Sequence, residues 1–364
     1  MDQETTGGLK VANAWTQAGY KSCVRVTGRG KQEDMLFDCG SVNHECFQSK
    51  YIFITHGHLD HIGSAIPFAR AKSLSFGTSV FYVPSSVAGP LTAAKEAYEQ
   101  MSGEVIEMDI RTISPGDAPV RISDRLSVFA FPTLHRVASQ GYGVVVRYPG
   151  KLKPEYEGFQ QEQFKELRAA GTEIRLPARE VCELVYTGDT VFSELLKPEL
   201  NFLFEAEVLI MECTYMDGDP EKALKYAHVH VHDIASSADR FKNKTLFLVH
   251  VSRKYTSDFI LQCLRSTLPK NLQTITSVNL KLQGRRDHMT RVSDSEHEKR
   301  LRDEPGWGWG GGKVKTVGRQ RSQGRGGGGG ASGPGRGTTP KRQESGRGQP
   351  RGRSIFTADK KGSS

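Results

Sequence analysis

One ten-residue stretch restricts the fold of this chain more than any other. It begins as Ile52-Phe53-Ile54, an apolar run rich in β-branched and aromatic side chains, which predicts a buried strand. It continues as Thr55-His56-Gly57-His58-Leu59-Asp60-His61, where three imidazoles and one carboxylate occupy six positions. Such groups are costly to bury without a partner, and they are side chains that bind borderline metals such as zinc. The pattern therefore predicts a metal site at a strand end rather than a run of solvated loop histidines.

The spacing of these side chains predicts two metals rather than one. In an extended segment His56 and His58 point in the same direction, because side chains alternate with a period of two. Asp60 and His61 lie one turn further on and can face a second position. We therefore expect two adjacent ions at this strand end.

Four later apolar segments, each predicted to be a strand, also end at a residue that can bind a metal or transfer a proton. They deliver His135 after 125–131, Asp189 after 181–186, Glu212 after 208–211 and His250 after 246–249. Side chains at the carboxyl ends of the strands of an α/β sheet meet at one edge, where active sites form. The chain is therefore predicted to be an α/β protein with a site assembled from five strand ends.

Several candidates stay ambiguous on the residues alone. Asp38 follows an apolar strand and is either a turn residue, which the sequence alone favours, or a group that holds a ligand histidine. The turn at 139–143 could offer backbone N–H groups to a phosphate or be a plain hairpin turn. In 227–233 three histidines share one face if the backbone is extended, but only His228 need approach the site if a helix begins there.

The segment 150–177 interrupts the alternation of strands and helices. Its helical part, 161–170, is polar and lacks the apolar stripe of a core helix. It is either a surface excursion or an arm that grips a partner outside the active site.

The net charge of +9 is concentrated at the end of the chain. From Pro305 onward there are 13 of the 50 Lys and Arg residues but only 2 of the 41 Asp and Glu residues, so 37 basic and 39 acidic residues precede it. Residues 285–304 are predicted to be a charged linker or helix. Residues 305–364, dominated by Gly, Arg, Ser and Pro, are predicted to be disordered, because they cannot bury a core. Such a tail binds RNA weakly or serves only as a solubilising extension.

Cysteine usage and the N-terminus bear on the compartment. The six cysteines are scattered without a CxxC pair, which is typical of a reduced, intracellular protein. We expect neither a signal nor a transit peptide at Met1-Asp2-Gln3-Glu4, and no apolar stretch has membrane-spanning length. We expect a location in the cytoplasm, the nucleus or both, with no membrane association.

The strand-end motif is the signature of the metallo-β-lactamase superfamily, and the chain resembles one of its families, ribonuclease Z, the 3′ tRNA-processing endonuclease, in its short, plant-like form. The resemblance covers roughly residues 9–284. Beyond the motif it rests on Thr133-Leu134-His135, Ser139-Gln140-Gly141-Tyr142, Tyr156-Glu157-Gly158, Gly171-Thr172-Glu173-Ile174, Tyr186-Thr187-Gly188-Asp189-Thr190 and Val249-His250-Val251-Ser252-Arg253-Lys254-Tyr255. It implies an αββα sandwich of two mixed sheets flanked by helices, with a catalytic domain at 1–284.

The resemblance also implies a complete set of metal ligands and a proton-donating pair. Two Zn²⁺ ions per subunit, for which Mn²⁺ or Mg²⁺ can substitute, would be held by His56, His58 and His135 on one side and by Asp60, His61 and His250 on the other, with Asp189 bridging. Asp60 also counts among the catalytic residues. Glu212 and His228 would donate the proton, with His230 as the alternative histidine. The resemblance reverses the interpretation of Asp38, because the superfamily's first motif is an Asp at this place.

A precursor tRNA is the substrate that the resemblance implies. Removal of its 3′ trailer by two-metal hydrolysis would leave a tRNA 3′-OH and a trailer with a 5′-phosphate. The segment 150–177 would clamp the tRNA as an arm, and a homodimer would let the arm of one subunit serve the other's site. Substrate contacts are expected from Ser139, Gln140, Gly141, Tyr142, Lys151, Lys153 and Arg253.

The chain departs from the family in two places. Met211 stands where a His often precedes the motif Glu, and Val229 stands where Ser or Thr often follows the motif His. Two alternatives stay open: a hydrolase of the same fold that acts on thioesters, lactones or small phosphodiesters, and a non-catalytic RNA-binding scaffold.

Overall fold

Two mixed β-sheets face each other in this structure, a computed structural model that describes residues 4–218, 220–280 and 288–293. The first sheet consists, in spatial order, of β1 (Lys10–Gln17), β2 (Lys21–Thr27), β3 (Asp34–Phe37), β4 (Tyr51–Phe53), β5 (Ser79–Val83) and β6 (Met108–Thr112). The second consists of β7 (Val120–Arg121), β8 (Leu126–Pro132), β9 (Gln140–Tyr148), β10 (Arg179–Tyr186), β11 (Val208–Glu212), β12 (Thr245–Val249), β13 (Thr276–Leu280) and β14 (His288–Arg291).

The described residues form ten α-helices. They are α1 (Leu59–Ile62), α2 (Ala65–Ser73), α3 (Ser85–Ser102), α4 (Gln161–Ala169), α5 (Phe192–Leu195), α6 (Phe202–Glu205), α7 (Pro220–Lys225), α8 (Val231–Ser236), α9 (Ser257–Thr267) and α10 (Lys270–Ile275). Helices α2 and α3 pack on the first sheet, and α6, α8, α9 and α10 pack on the second. The predicted αββα sandwich is confirmed. Among the described residues, no helix combines the length and the apolar character that crossing a membrane requires.

The period-two alternation in the strands divides the apolar side chains between two sides of each sheet. In β4, Phe53 points into the core between the sheets, whereas Ile52 points outward towards α2. Aromatic rings fill the inner core: Phe53 stacks on Phe37 at 5.7 Å, and Phe37 lies 5.5 Å from Tyr186 of the opposite sheet. This packing fixes one sheet against the other and so fixes the relative positions of the strand ends.

Strand direction explains why polar side chains from distant parts of the chain converge. Strands β3 to β6 run parallel, and so do β10 to β13. The carboxyl ends of β3, β4, β10, β11 and β12 are followed by the candidate site residues, and the end of β8 reaches the same edge of its sheet. The backbone N–H of Gln140, at the start of β9, donates to the carbonyl of Thr55 at 3.1 Å and joins the two sheets there.

Two expectations about local structure are wrong. A charged linker or helix is predicted for 285–304, but His288–Arg291 within it forms β14, which pairs antiparallel with β13, so the sheet extends past the expected domain end at 284. Residues 285–287 and 294–304 lie outside the described residues, as does the whole predicted tail, 305–364. The turn predicted at 139–143 is largely the beginning of β9.

Candidate metal centre

Three ring nitrogens form the first half of the site. His56 Nε2 lies 3.1 Å from His58 Nδ1, which lies 3.3 Å from His135 Nε2. Two nitrogens bound to one tetrahedral zinc at its usual distance are about 3.3 Å apart. Burial lowers the pKa of all three imidazoles, and for His56 the neighbouring His61 adds to the effect. Neutral imidazoles with converging lone pairs are suited to bind a cation.

The second half joins a carboxylate and two imidazoles. His61 Nε2 lies 3.3 Å from His250 Nε2, and Asp60 Oδ2 lies 3.2 Å from His250 and 3.7 Å from His61. Asp60 follows β4, and His250 follows β12 on the other sheet. The predicted pairing of Asp60, His61 and His250 is therefore present in the geometry.

Asp189 lies between the two halves. Its Oδ2 is 3.3 Å from His61 and 3.4 Å from His250 on one side, and 3.8 Å from His56 and 3.9 Å from His135 on the other. Its other carboxylate oxygen is buried and has no hydrogen-bond partner among the described residues. Although burial would raise its pKa, His250 and His61 lower it, so the carboxylate stays ionised. A buried carboxylate with an unpaired oxygen, placed between two groups of imidazole nitrogens, fits cation binding on both sides.

Fixed acceptors set the tautomers of the ligand histidines. His135 Nδ1 donates to the carbonyl of Ala227 at 2.8 Å, which leaves Nε2 free. Thr214 donates its one hydroxyl proton to Glu212 at 2.6 Å and can then accept from His250 Nδ1 at 3.0 Å. Each of these contacts leaves the nitrogen that faces the site unprotonated, as metal ligation requires.

Asp38 orients two of the predicted ligands at once. Its Oδ2 accepts from His61 Nδ1 at 2.7 Å and from the Tyr186 hydroxyl at 2.7 Å, and its Oδ1 accepts from the N–H of Thr55 at 2.8 Å. The Thr55 hydroxyl in turn contacts His56 Nδ1 at 2.9 Å. The turn assignment that the sequence alone favours is therefore wrong, and the role implied by the resemblance is correct. Asp38 has a φ of +60°, a strained conformation that these contacts hold in place.

Glu212 and His228 form a buried pair beside Asp189. His228 Nδ1 donates to Glu212 Oε1 at 2.9 Å, and the carboxylate also accepts from the N–H of Thr190 at 2.8 Å and from Thr214. Burial alone would lower the pKa of His228, but the Glu212 carboxylate outweighs it and raises the pKa to about 9. The His228 ring stacks on His250 at 5.4 Å, so the pair lines the site without belonging to either ligand trio.

The structure separates His228 from the alternative His230. His230 precedes α8, where its Nδ1 accepts from the N–H of His232 at 3.1 Å and its backbone N–H donates to Asp233 at 3.0 Å. It is buried as a helix cap and forms none of the described contacts with Glu212. Only His228 is therefore placed to act beside the metal ligands.

Three of the expected substrate contacts are wrong. Tyr142 is fully buried and donates to the carbonyl of Ile54 at 2.6 Å, and the Gln140 amide is buried against Tyr142 and Ile113. Gly141 is buried too, and a Cβ there would collide with the Phe131 ring. These residues pack between the two sheets and support the strand ends that carry the site. Ser139 is half-buried at the rim, where its hydroxyl lies 2.8 Å from that of Thr133.

The two expected lysine contacts lie far from the metal ligands of their own subunit. Lys151 and Lys153 begin the segment 150–177, which leaves the second sheet after Tyr148, whereas the site lies beyond the opposite end of β9. That strand separates them from the site by roughly 20 Å or more. By contrast, Arg253 follows His250 by three residues and is exposed near the site.

Sequence reasoning missed several supporting residues. Thr214 and Tyr186 contact Glu212 and Asp38, and the N–H of Gly19 donates to Asp60 Oδ2 at 2.7 Å. Thr214 and Tyr186 each stand close to a motif residue, so their position was a usable signal. Gly19 lies 41 residues from Asp60, and no local pattern predicts that contact.

The comparisons with known proteins agree with this geometry. The family model described as "Beta-lactamase superfamily domain" matches residues 30–251. The chain is 32% identical to the tRNase Z TRZ1 of Arabidopsis thaliana over 243 residues, which cover 66% of this chain and 85% of the relative. It is 26% identical to the ribonuclease Z of Macrococcus caseolyticus over 255 residues, with 62% of this chain and 80% of the relative covered. A long-form RNase Z from yeast superposes with a TM-score of 0.51 at 12% identity, covering 83% of this chain and 44% of that one, which shows the shared fold.

Proposed function

The chain belongs to the ribonuclease Z family of the metallo-β-lactamase superfamily, and from this premise we propose that it removes the 3′ trailer from precursor tRNA by zinc-dependent, two-metal hydrolysis. It is a metal-dependent phosphodiester hydrolase. The observation that carries the proposal is the pair of ligand trios joined by Asp189, with the Glu212–His228 pair beside them. A hydrolase of the same fold that acts on thioesters, lactones or small phosphodiesters would also need the metal ligands. The Glu212–His228 pair, by contrast, suits a leaving group that must be protonated.

The ligand residues have distinct tasks in this proposal. His56, His58 and His135 would hold one zinc, and Asp60, His61 and His250 the other, with Asp189 contacting both. When bound, the two ions supply an activated water and neutralise the charge of the phosphodiester. Asp38, Thr214 and the carbonyl of Ala227 keep the ligand rings in the tautomer and orientation that binding needs.

His228 would protonate the leaving 3′-oxygen of the tRNA. An alkoxide is a poor leaving group, and a positioned general acid contributes roughly 10²–10⁴-fold to such a reaction. Glu212 accepts a hydrogen bond from Nδ1–H, which would leave Nε2, the other ring nitrogen, to face the reaction. The products would be a tRNA with a 3′-OH and a trailer with a 5′-phosphate.

Substrate recognition would involve the segment 150–177, which we call the arm, in a homodimer. The arm leaves the sheet at the end opposite the metal ligands, so it is poorly placed to serve its own subunit's site. A partner subunit would bring its arm towards that site. RNA binding by the tail 305–364, which lies outside the described residues, and a cytoplasmic or nuclear location stay predictions.

Cleavage of a precursor tRNA tests the proposal. The protein is incubated, with zinc or manganese, with a precursor that has a 3′ trailer, and the cut is mapped beside the Asp60→Ala variant. One cut just after the discriminator nucleotide, absent from the variant although it still binds the RNA, supports the proposal. Rapid hydrolysis of a thioester, lactone or small phosphodiester without that cut would favour another hydrolase. Equal biological activity of the variant would favour a scaffold.

A further inference from the structure

The turn between β1 and β2 lies directly against the metal centre. It contains Gly19, whose φ of +66° favours glycine and whose N–H donates to Asp60 Oδ2 at 2.7 Å. The N–H of Ala18 donates to the carbonyl of Val251 at 3.2 Å, immediately after the ligand His250. The turn is therefore fixed to two metal-ligand segments, one from each sheet.

Tyr20 extends from this turn into solvent although it is a large aromatic residue. Its exposed fraction is 58%, and the guanidinium of Arg253 lies 5.1 Å from the centre of its ring. Lys21 Nζ lies 5.9 Å from the same centre. The ring thus belongs to a turn that contacts Asp60, and two positive charges lie beside it.

The neighbouring cation has different partners. Lys254 Nζ lies 4.5 Å from the centre of the Tyr255 ring and pairs with Asp217 at 2.6 Å, so its charge is already neutralised by a carboxylate. Arg253 instead lies over the ring of Tyr20, in the turn that contacts Asp60. An exposed aromatic face with an adjacent guanidinium is the combination that binds single-stranded nucleic acid, by stacking on a base and contacting its phosphate.

We propose that Tyr20 and Arg253 form a subsite for the first trailer nucleotide, with the base stacked on the ring and the phosphate held by the guanidinium. This inference rests on the proposed function. His228 protonates the 3′-oxygen of the tRNA, so the last tRNA nucleotide lies on the side of His228. The trailer nucleotide keeps the phosphate and extends in the opposite direction, past Asp60. There it would meet the turn that contains Tyr20, since this turn contacts Asp60.

A double-substitution cycle tests the subsite. Cleavage is measured as kcat/KM for the wild type and Tyr20→Ala, each with a precursor tRNA that has a normal or an abasic first trailer nucleotide. We expect each single change to lower kcat/KM about tenfold, the size of one lost stack, and the two together to lower it hardly further. Tyr20→Phe should restore the wild-type rate, because the ring is kept.

Matched controls separate a lost stack from a damaged fold. Tyr98, an equally exposed tyrosine on α3, is replaced by Ala and should leave cleavage and its dependence on the abasic site unchanged. The zinc content and Tm of Tyr20→Ala should match those of the wild type. Arg253→Ala should raise KM and reduce its dependence on salt.

Two different failures can be told apart. If the wild type cuts precursor tRNA but the effects of Tyr20→Ala and the abasic site multiply to about a hundredfold, the subsite is wrong and the proposed function stands. The subsite is equally wrong if Tyr20→Ala cuts as fast as the wild type. If the wild type cuts no precursor tRNA, the proposed function fails, and the trailer subsite fails with it.

Discussion

The metal centre and the arm of this protein differ in how their residues are held. In the centre, His56, His61, Asp189 and His250 are almost fully buried, and Asp38 accepts hydrogen bonds from three different residues. In the arm, no residue from Lys151 to Glu180 is buried, and its ends are joined by backbone contacts such as that from the N–H of Lys153 to the carbonyl of Ile174 at 3.0 Å. Changes in the centre should therefore affect chemistry, whereas changes in the arm should affect binding.

The largest effect is expected from Asp189→Ala. Its carboxylate contacts both ligand trios, so its loss should lower zinc content and reduce cleavage about a thousandfold or more, several kcal/mol of transition-state stabilisation. Zinc per chain and kcat/KM for precursor tRNA are measured together. Asp239→Ala, an exposed aspartate, is the control. Full zinc content and activity in Asp189→Ala would contradict the bridging role.

A second effect, confined to proton transfer, is expected from His228→Ala. It should lower cleavage of precursor tRNA about 10²–10⁴-fold without changing zinc content, because the proposal gives His228 the role of the acid and not of a ligand. Hydrolysis of bis(p-nitrophenyl) phosphate, whose leaving group needs no proton, should change much less. His232→Ala is the control, and equal losses on both substrates would argue against the role of acid.

Asp38→Asn tests the orientation of the ligands. Asn tolerates the positive φ of this position but removes the negative charge that faces His61. We expect zinc affinity to fall about 10–100-fold, measured by competition with a chelator. An unchanged affinity would show that Asp38 is needed only for the fold.

The smallest effect is expected from the double variant Lys151→Ala/Lys153→Ala in the arm. KM for precursor tRNA should rise a few-fold, and the slope of log affinity against log salt should fall by about one to two. Hydrolysis of bis(p-nitrophenyl) phosphate is followed in parallel and should stay the same, as should all parameters of Lys270→Ala. A fall in kcat on both substrates would contradict the claim that the arm affects binding whereas the metal centre affects chemistry.

The sequence predicts the convergence of the candidate ligands well because their pattern is local. Each follows an apolar strand, and parallel strands bring such positions to one edge whatever else the chain does. The αββα arrangement of layers is predicted through the family to which the same strand-end motifs point. His228 is separated from His230 only by tertiary contacts, since Glu212 approaches one ring and α8 uses the other as its cap.

Substrate contacts were harder to predict because exposure depends on packing. Gln140, Gly141 and Tyr142 stand in a motif next to the site, but they are buried in the contact between the sheets. Gly19 and Tyr20 form no motif and meet Asp60 and Arg253 only in the folded chain. The strand His288–Arg291 was missed because it has no apolar alternation of its own. It joins the sheet only by pairing with β13.

The most direct test of the central claim compares three substrates of the wild-type protein loaded with zinc. They are a precursor tRNA, its isolated trailer sequence without the tRNA body, and bis(p-nitrophenyl) phosphate. The account predicts a single cut after the discriminator nucleotide, with kcat/KM for the precursor far above that for the other two. Comparable rates on all three, or cuts scattered along both RNAs, would contradict it.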